Sequence, residues 1–376
     1  MTQEREILVV GTDEAGYGPN LGPLLVGASC WRAPAETTRL DDVFSHETSE
    51  SRRDSLLAFA PPTSDEIWSP RRLDDALAPV SESRRSVFPL LDSKKLYGPS
   101  KSLAALERPF MIASALLDRK IESFATVLND LRSDSEDQLP PWERDATLPL
   151  PVDPKTLRSP LEPDLQLVRQ ALDAANVALL ELAARRVQPL EFNRRLDGLG
   201  LKSDLIADVT TSLVVETLVA AYDRLARRNE PRPEIALVLC DKLGGRDHYA
   251  PILKERFCGA DVEILSQGRE LSLYRLVAQA GVDRDGVVRP FPEQTILEIR
   301  FSAKGESNAP VALASIAAKY VRELSMRLFN EFWRDAVSSS LRPTAGYPVD
   351  ALRFRAEVED ARSRLGIPDD VFWRRK

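Results

Sequence analysis

The chain has 376 residues, 43% hydrophobic and 29% charged, with 51 Lys/Arg against 58 Asp/Glu and a formal net charge of −7. These proportions exclude a wholly disordered, collagenous or coiled-coil protein, and the length suits about two domains' worth of chain. The acidity is local: residues 36–85 carry 11 acids and 7 bases, whereas residues 300–376 carry 14 bases and 10 acids, so a C-terminal positive field remains available to phosphates.

No uncharged apolar run approaches the roughly 20 residues that span a bilayer, so no transmembrane helix and no membrane partner are expected. The opening MTQEREILVV lacks a basic n-region and a small-residue cleavage site, which makes it a poor signal peptide. Cys30, Cys240 and Cys258 are odd in number, far apart and in no CxxC pattern, so neither a disulfide framework nor a thiolate zinc site is expected. A cytoplasmic location follows as an expectation.

Along the chain, the apolar run 7–11 (ILVVG) reads as a buried strand, and 24–30 as its partner across the Gly/Pro turn GYGPNLGP. Residues 34–90 lose clear periodicity and read as a partly mobile insertion. Apolar residues recur at helical spacing over 104–131, and seven prolines then fall between Pro140 and Pro163, a composition suited to a loop or linker. The stretch 165–183 reads mostly as helix running into a strand before Arg186. Leu205, Val209, Leu213, Leu218, Tyr222 and Leu225 mark an amphipathic helix ahead of the strand 235–240 (IALVLC). Further strands are predicted at 262–265 and 296–301. Leu313, Ala317, Tyr320, Leu324, Leu328 and Phe332 trace a long helix that starts near Ser307, Asn308 and Pro310. A last helix is predicted over 350–365. Strands alternating with covering helices make an α/β protein.

The sharpest local pattern is Asp13-Glu14-Ala15-Gly16-Tyr17-Gly18, directly after the first strand. Adjacent carboxylates on a strand point in different directions, so both reach one metal only where the backbone turns, and the glycines permit such a turn. An acidic turn with glycines there for geometry explains the same hexapeptide. Asp241 leaves a second apolar strand, and Glu306 follows a third. Singly, these are a turn former and a helix N-terminal charge. Their recurrence matters, because an α/β sheet gathers such strand ends at one edge, where ligands bind. Four carboxylates without supporting His or Cys suit Mg²⁺ or Mn²⁺, and a pair of such ions can drive phosphodiester hydrolysis. His46 reads as a surface residue and His248 as a neighbour of Asp241.

Five collinear segments resemble the type 2 ribonuclease H family, the HII/HIII group. These are 13–16 with Gly22-Pro23, Asp92-Ser93-Lys94-Lys95-Leu96, Asp241, Lys304-Gly305-Glu306-Ser307 followed by 314–319 (ASIAAK), and Gly346-Tyr347-Pro348. The resemblance covers about half the chain and leaves the regions near 34–90 and 132–165 as insertions in one catalytic domain over 1–376, with a C-terminal helical part about 307–376. It implies a ribonuclease H-like α/β fold, a mixed and mainly five-stranded sheet flanked by helices, in a monomer. It further implies that Asp13, Glu14, Asp241 and Glu306 hold two divalent ions (Mg²⁺ or Mn²⁺) and cut the RNA strand of an RNA/DNA hybrid, leaving 5′-phosphate and 3′-hydroxyl ends. Backbone groups of Gly16 and Gly18, with Tyr347, would read the ribose 2′-hydroxyl, and Lys94 and Lys95 would meet phosphates.

Three departures qualify the match. Tyr17 stands where the family has an arginine that donates to phosphate, and tyrosine lacks that charge. Glu306 replaces the Asp of the HII branch, and Lys242 the usual Gly after the third acid. Hydrolysis of longer hybrids, rather than of single embedded ribonucleotides, is therefore expected. A reading from another class is a catalytically degenerate relative that binds nucleic acid or a protein without cutting. The altered GYG, the acidic insertion and the overall charge favour it, and the retained carboxylate positions oppose it.

Overall fold

The computed structural model describes residues 5–39, 66–70, 73–81, 86–91, 96–97, 102–131, 139–144, 147–157, 159–257, 260–278, 281–282, 288–289, 295–303 and 308–375. Its strands are β1 (Glu6–Ala15), β2 (Leu24–Arg39), β3 (Glu66–Pro70), β4 (Ala178–Val187), β5 (Ile235–Asp241), β6 (Val262–Gln267), β7 (Leu271–Ala278), the short pair β8 (Gly281–Val282) and β9 (Val288–Arg289), and β10 (Thr295–Ser302). Among the described residues, eight of them form one sheet in the order β3-β2-β1-β5-β10-β7-β6, with β4 also paired to β2. β1, β5 and β10 run parallel, and the remaining pairings are antiparallel. The fold is thus α/β with a mixed sheet, wider than the five strands implied by the family resemblance.

The central strands are apolar without alternation because both faces of the sheet are covered. Ile7 and Val9 of β1 and Leu237 and Leu239 of β5 face one core, and Leu8, Val10, Ala236 and Val238 face the other. The helices are α1 (Leu73–Ser81), α2 (Ala104–Leu116), α3 (Phe124–Asp130), α4 (Pro141–Arg144), α5 (Leu161–Ala175), α6 (Pro189–Leu199), α7 (Lys202–Arg227), α8 (Ala250–Arg256), α9 (Ala309–Val337), α10 (Pro348–Arg364) and α11 (Asp369–Phe372). α9 covers the first face with α2 and α5, and α7 covers the second. By length and composition α7 could cross a bilayer, but most of its apolar stretch is buried inside the protein, as a core helix requires.

The continuous helical spacing over 104–131 resolves into two helices. α2 ends at Leu116 and Asp118 takes a positive φ, before a capping box between Ser123 and Thr126 starts α3. The described parts of the two irregular stretches are built into the core. Leu73, Leu77 and Phe88 join the cluster that holds Ile7. In the proline-rich stretch, Trp142 packs edge-on against Phe329 at 5.0 Å, and Glu143 forms a fully buried ion pair with Arg186 at 2.5 Å. Buried Glu107 of α2 accepts hydrogen bonds from the backbone N–H of Val152 and Asp153 and from Tyr320 Oη, at 2.7, 3.0 and 2.8 Å. Proline limits regular structure there to short pieces such as α4 without excluding burial.

α9 lies flush on the sheet because two glycines face it. A Cβ on Gly11 would sit 2.2 Å from the Pro310 carbonyl carbon, and one on Gly27 would sit 2.1 Å from the Ala314 oxygen. Ser29 Oγ donates to the Pro310 carbonyl at 2.8 Å and accepts from Trp31 Nε1 at 2.9 Å, which pins the start of the helix. The Gly27→Ala variant is expected to lose about 2 kcal/mol of stability, since backbone rather than a flexible side chain must move. Urea denaturation followed by circular dichroism measures this.

Candidate active site

The order of the parallel strands brings the chemistry together. Thr12 of β1 lies beside Cys240 of β5, and Asp241 lies beside Ser302 of β10. Asp13 and Asp241 therefore leave neighbouring strands at one sheet edge, the edge at which α/β sheets bind ligands. Lys304–Ser307, and with them the predicted ligand Glu306, lie outside the described residues, as do Lys94 and Lys95.

A cavity of about 440 Å³ opens at this edge, lined by Asp13, Glu14, Gly16, Tyr17, Gly18, Asp241 and Tyr347 among others. All the predicted site residues that the structure describes thus share one cavity. Asp13 is only 6% exposed, and its carboxyl is pushed up to about 7 by burial first and by the Glu14 charge next, with a smaller push from Asp241. The Ser315 hydroxyl and the Glu14 backbone N–H hydrogen-bond to it and act in the opposite direction. Ser315 reaches Asp13 because α9 rests on Gly11 and Gly27.

The loop after β1 is held from α9. Gly16 has φ +84°, and a Cβ there would lie 2.4 Å from Arg322 Nε, so only glycine fits beside this guanidinium. Arg322 is buried and donates from Nη2 to the Ala345 carbonyl at 2.9 Å, while the Gly346 carbonyl accepts from Asn20 N at 2.8 Å. One side chain and one backbone bond thereby tie the glycine loop to the turn that carries Tyr347. Tyr347 is 57% exposed at the mouth. The Tyr17 hydroxyl lies against Gly244, 2.8 Å from where a Cβ would sit, and burial together with Glu14 raises its phenol pKa.

Ser315, Lys319, Arg322, Glu323 and Tyr97 also line the cavity, and the sequence reading assigns none of them a role. Four of them recur at 315, 319, 322 and 323, one face of the otherwise apolar first half of α9, and that polar stripe is their sequence signal. Tyr97 Oη donates to Glu323 Oε2 at 3.1 Å, and Lys319 Nζ lies 5.2 Å from the centre of the Tyr97 ring. Lys242 points away from the cavity, donating to Asp247, Gly268 and Ser272, and His248 is exposed outside it.

The donor chemistry fits a hard divalent cation: carboxylate oxygens, no thiolate and no imidazole. Among the described residues no three such groups close around a single point; the fourth acid expected from the sequence, Glu306, lies outside them. β1 continues to Ala15, so Asp13 and Glu14 are still successive strand residues on opposite faces, and the turn begins only at Gly16. They nevertheless share one cavity and repel each other.

Neither a protein-family profile nor a curated protein matches the sequence. Among solved structures, the chain is similar to ribonuclease H2 from Pyrococcus horikoshii OT3, with 14% identity, 97% of this chain and 92% of that one covered, and a TM-score of 0.40. It is also similar to Bst-RNase HIII in complex with Mn²⁺ (14%, 99% and 67% covered, TM-score 0.35). The RNase HII of Archaeoglobus fulgidus, solved in a PCNA complex, gives 14%, 98% and 95% coverage and a TM-score of 0.36. With such values the site is read from its own residues.

Proposed function

We propose that this chain is a divalent-cation-dependent nuclease related to the type 2 ribonucleases H, hydrolysing the RNA strand of RNA/DNA hybrids. The observation that carries this reading is the meeting of Asp13 and Asp241, from adjacent parallel strand ends, in one cavity bordered by a glycine loop and an exposed tyrosine. Asp13, Glu14 and Asp241 would hold the cations, with Glu306 assigned to the same set from sequence. Divalent ions held there supply the charge neutralisation and water activation that phosphodiester hydrolysis needs. The protein's own contribution is placement: Ser315 orients the Asp13 carboxylate, and Arg322 fixes the Gly16 turn. The backbone at Gly16 and Gly18 and the Tyr347 hydroxyl would read the ribose 2′-hydroxyl, the group that separates RNA from DNA.

A degenerate, non-cutting binder is the second reading. It is favoured by the lack of a three-ligand cluster among the described residues. One assay separates the two: a labelled hybrid, a DNA duplex with one embedded ribonucleotide, and plain DNA, each incubated with Mg²⁺, Mn²⁺ or EDTA. Cutting of the hybrid that needs the cation supports the nuclease, and tight binding without cutting supports the binder. In the same assay Tyr17→Arg is expected to raise cleavage at the embedded ribonucleotide about tenfold, because it restores a charged donor worth about 1.5–3 kcal/mol. An unchanged rate removes position 17 from the account of substrate choice.

A further inference from the structure

A second and larger hollow, about 810 Å³, lies between α4, the first turn of α6 and the turn after α10, away from the cavity that holds Asp13. Four arginines line it: Arg144, Arg185, Arg194 and Arg195. Among the described residues its one lining acid is Glu191, paired with Arg195 at 2.8 Å, and Arg195 also meets Asp208 at 3.1 Å. Arg144 donates, among the described residues, only to the Leu139 carbonyl at 3.4 Å, and among them Arg185 and Arg194 form no ion pair. The N-terminal turn of α6, the positive end of that helix, opens into the same space. Among the described residues, three guanidinium groups therefore present charge, paired with no carboxylate, to one hollow of a protein whose net charge is −7.

The sheet register links this hollow to the candidate active site. Arg185 of β4 lies opposite Val26 of β2, and Val26 lies opposite Glu14 of β1. The three residues share a rung and a face, so the backbones at Arg185 and Glu14 are two strand spacings apart, about 10 Å.

We infer that this groove seats the sugar–phosphate backbone of the bound nucleic acid beyond the position that is cut. The inference rests on the nuclease reading for its ligand. Planar guanidinium forks match phosphate oxygens. Among the described residues no aromatic side chain lines the groove, so bases have nothing there to stack on and the contact reads charge rather than sequence. An acidic peptide offers the same charge but has no reason to lie beside the strand end that carries Glu14.

The test uses the double variant Arg144→Glu/Arg194→Glu, both residues being exposed. Binding of a fluorescein-labelled RNA/DNA hybrid in EDTA is followed by anisotropy across a salt series. The slope of log K against log salt is expected to fall by about 2, one lost phosphate contact for each arginine, and KM to rise at least tenfold with kcat unchanged. The Arg144→Lys/Arg194→Lys variant keeps the charge and is expected to keep the slope. If the charge-reversed protein binds with unchanged affinity and slope while the wild type still cuts, the groove proposal fails and the nuclease reading stands. If the wild type neither binds nor cuts the hybrid, both fail. Displacement of the hybrid from the wild type by polyglutamate as readily as by DNA of equal charge would reassign the groove to an acidic peptide and overturn the proposal.

Discussion

At pH 8 the Asp13→Asn protein is expected to unfold at a higher temperature than the wild type while losing hybrid cleavage by about a thousandfold, the scale on which one charged group of a preorganised site acts. Both effects come from the same carboxyl. In the folded chain it is pushed from an ordinary value of 3.8 up to about 7, first by burial and then by Glu14. A raised acid favours the protonated form in the folded state, so its contribution to stability is intact below about pH 4 and is lost as the pH rises toward 7. Above 7 the folded protein carries the whole cost of a buried, repelled anion, at most about 4 kcal/mol for a shift of this size. Asparagine keeps the shape and removes that charge, so the gain in melting temperature is expected at pH 8 and to vanish at pH 4. Calorimetry at the two pH values measures it. Divalent cation relieves the same repulsion, so Mn²⁺ is expected to raise the melting temperature of the wild type at pH 8 and to do less for the variant. Equal melting temperatures for the two proteins at pH 8 would mean that the carboxylates are not gathered as the cavity places them.

The parts of the fold legible in the sequence are those in which burial imposes an uninterrupted pattern. β1 and β5 are covered on both faces, so their apolar runs stand out, and α7 and α9 are long enough for their spacing to repeat over several turns. β7 escapes the reading because LSLYRLVA follows directly on the polar turn at 268–270 and carries Arg275, whose charge meets the buried Glu298. α1 is only nine residues long and holds Pro79, so Leu73, Ala76, Leu77 and Val80 complete barely two turns of a pattern that charged neighbours obscure. Proline density at 140–163 announces irregular backbone, but Trp142 and Glu143 are buried there through partners far along the chain, Phe329 and Arg186. Local composition contains no information about such contacts.

The site divides in the same way. Asp13, Glu14 and Asp241 are visible because they close apolar runs, and Gly16, Gly18 and Tyr347 because of the motifs around them. Which strands are neighbours, and so whether the acids meet, is set by the parallel pairing of β1, β5 and β10. The glycines at 11 and 27 look unremarkable in sequence, although they decide how closely α9, and with it Ser315 and Arg322, approaches the strand ends.

Arg374 has no sequence signal at all, yet its replacement by Ala is expected to cost about 3–5 kcal/mol, the range for stripping one partner from a buried charged contact, and to lower kcat at least tenfold. The side chain is fully buried. Nη2 donates to the carbonyls of Gly16, at 2.7 Å, and Pro19, and the guanidinium lies 5.0 Å from the centre of the Phe192 ring. The backbone doubles the connection, with Arg374 N donating to the Asn20 carbonyl at 2.8 Å and Asn20 Nδ2 to the Arg374 carbonyl at 3.0 Å. Burial and the nearby Arg322 push its pKa down to about 9, so the group stays charged at neutral pH. No carboxylate pairs with it among the described residues, and loop carbonyls and a ring face carry the compensation. A buried cation balanced in this way is a poor stabiliser but a specific one, since its Nη2 fixes two carbonyls of the loop that borders Asp13. Methionine at 374 fills the volume without the charge and is expected to recover much of the stability but not the rate, because the Gly16 and Pro19 carbonyls lose their donor. KM for the hybrid should then stay within about twofold of the wild type while kcat remains low, since the loop would still meet substrate but no longer hold one geometry. Full recovery of kcat in Arg374→Met would reduce Arg374 to a space-filling role and leave the loop's placement to Arg322 alone.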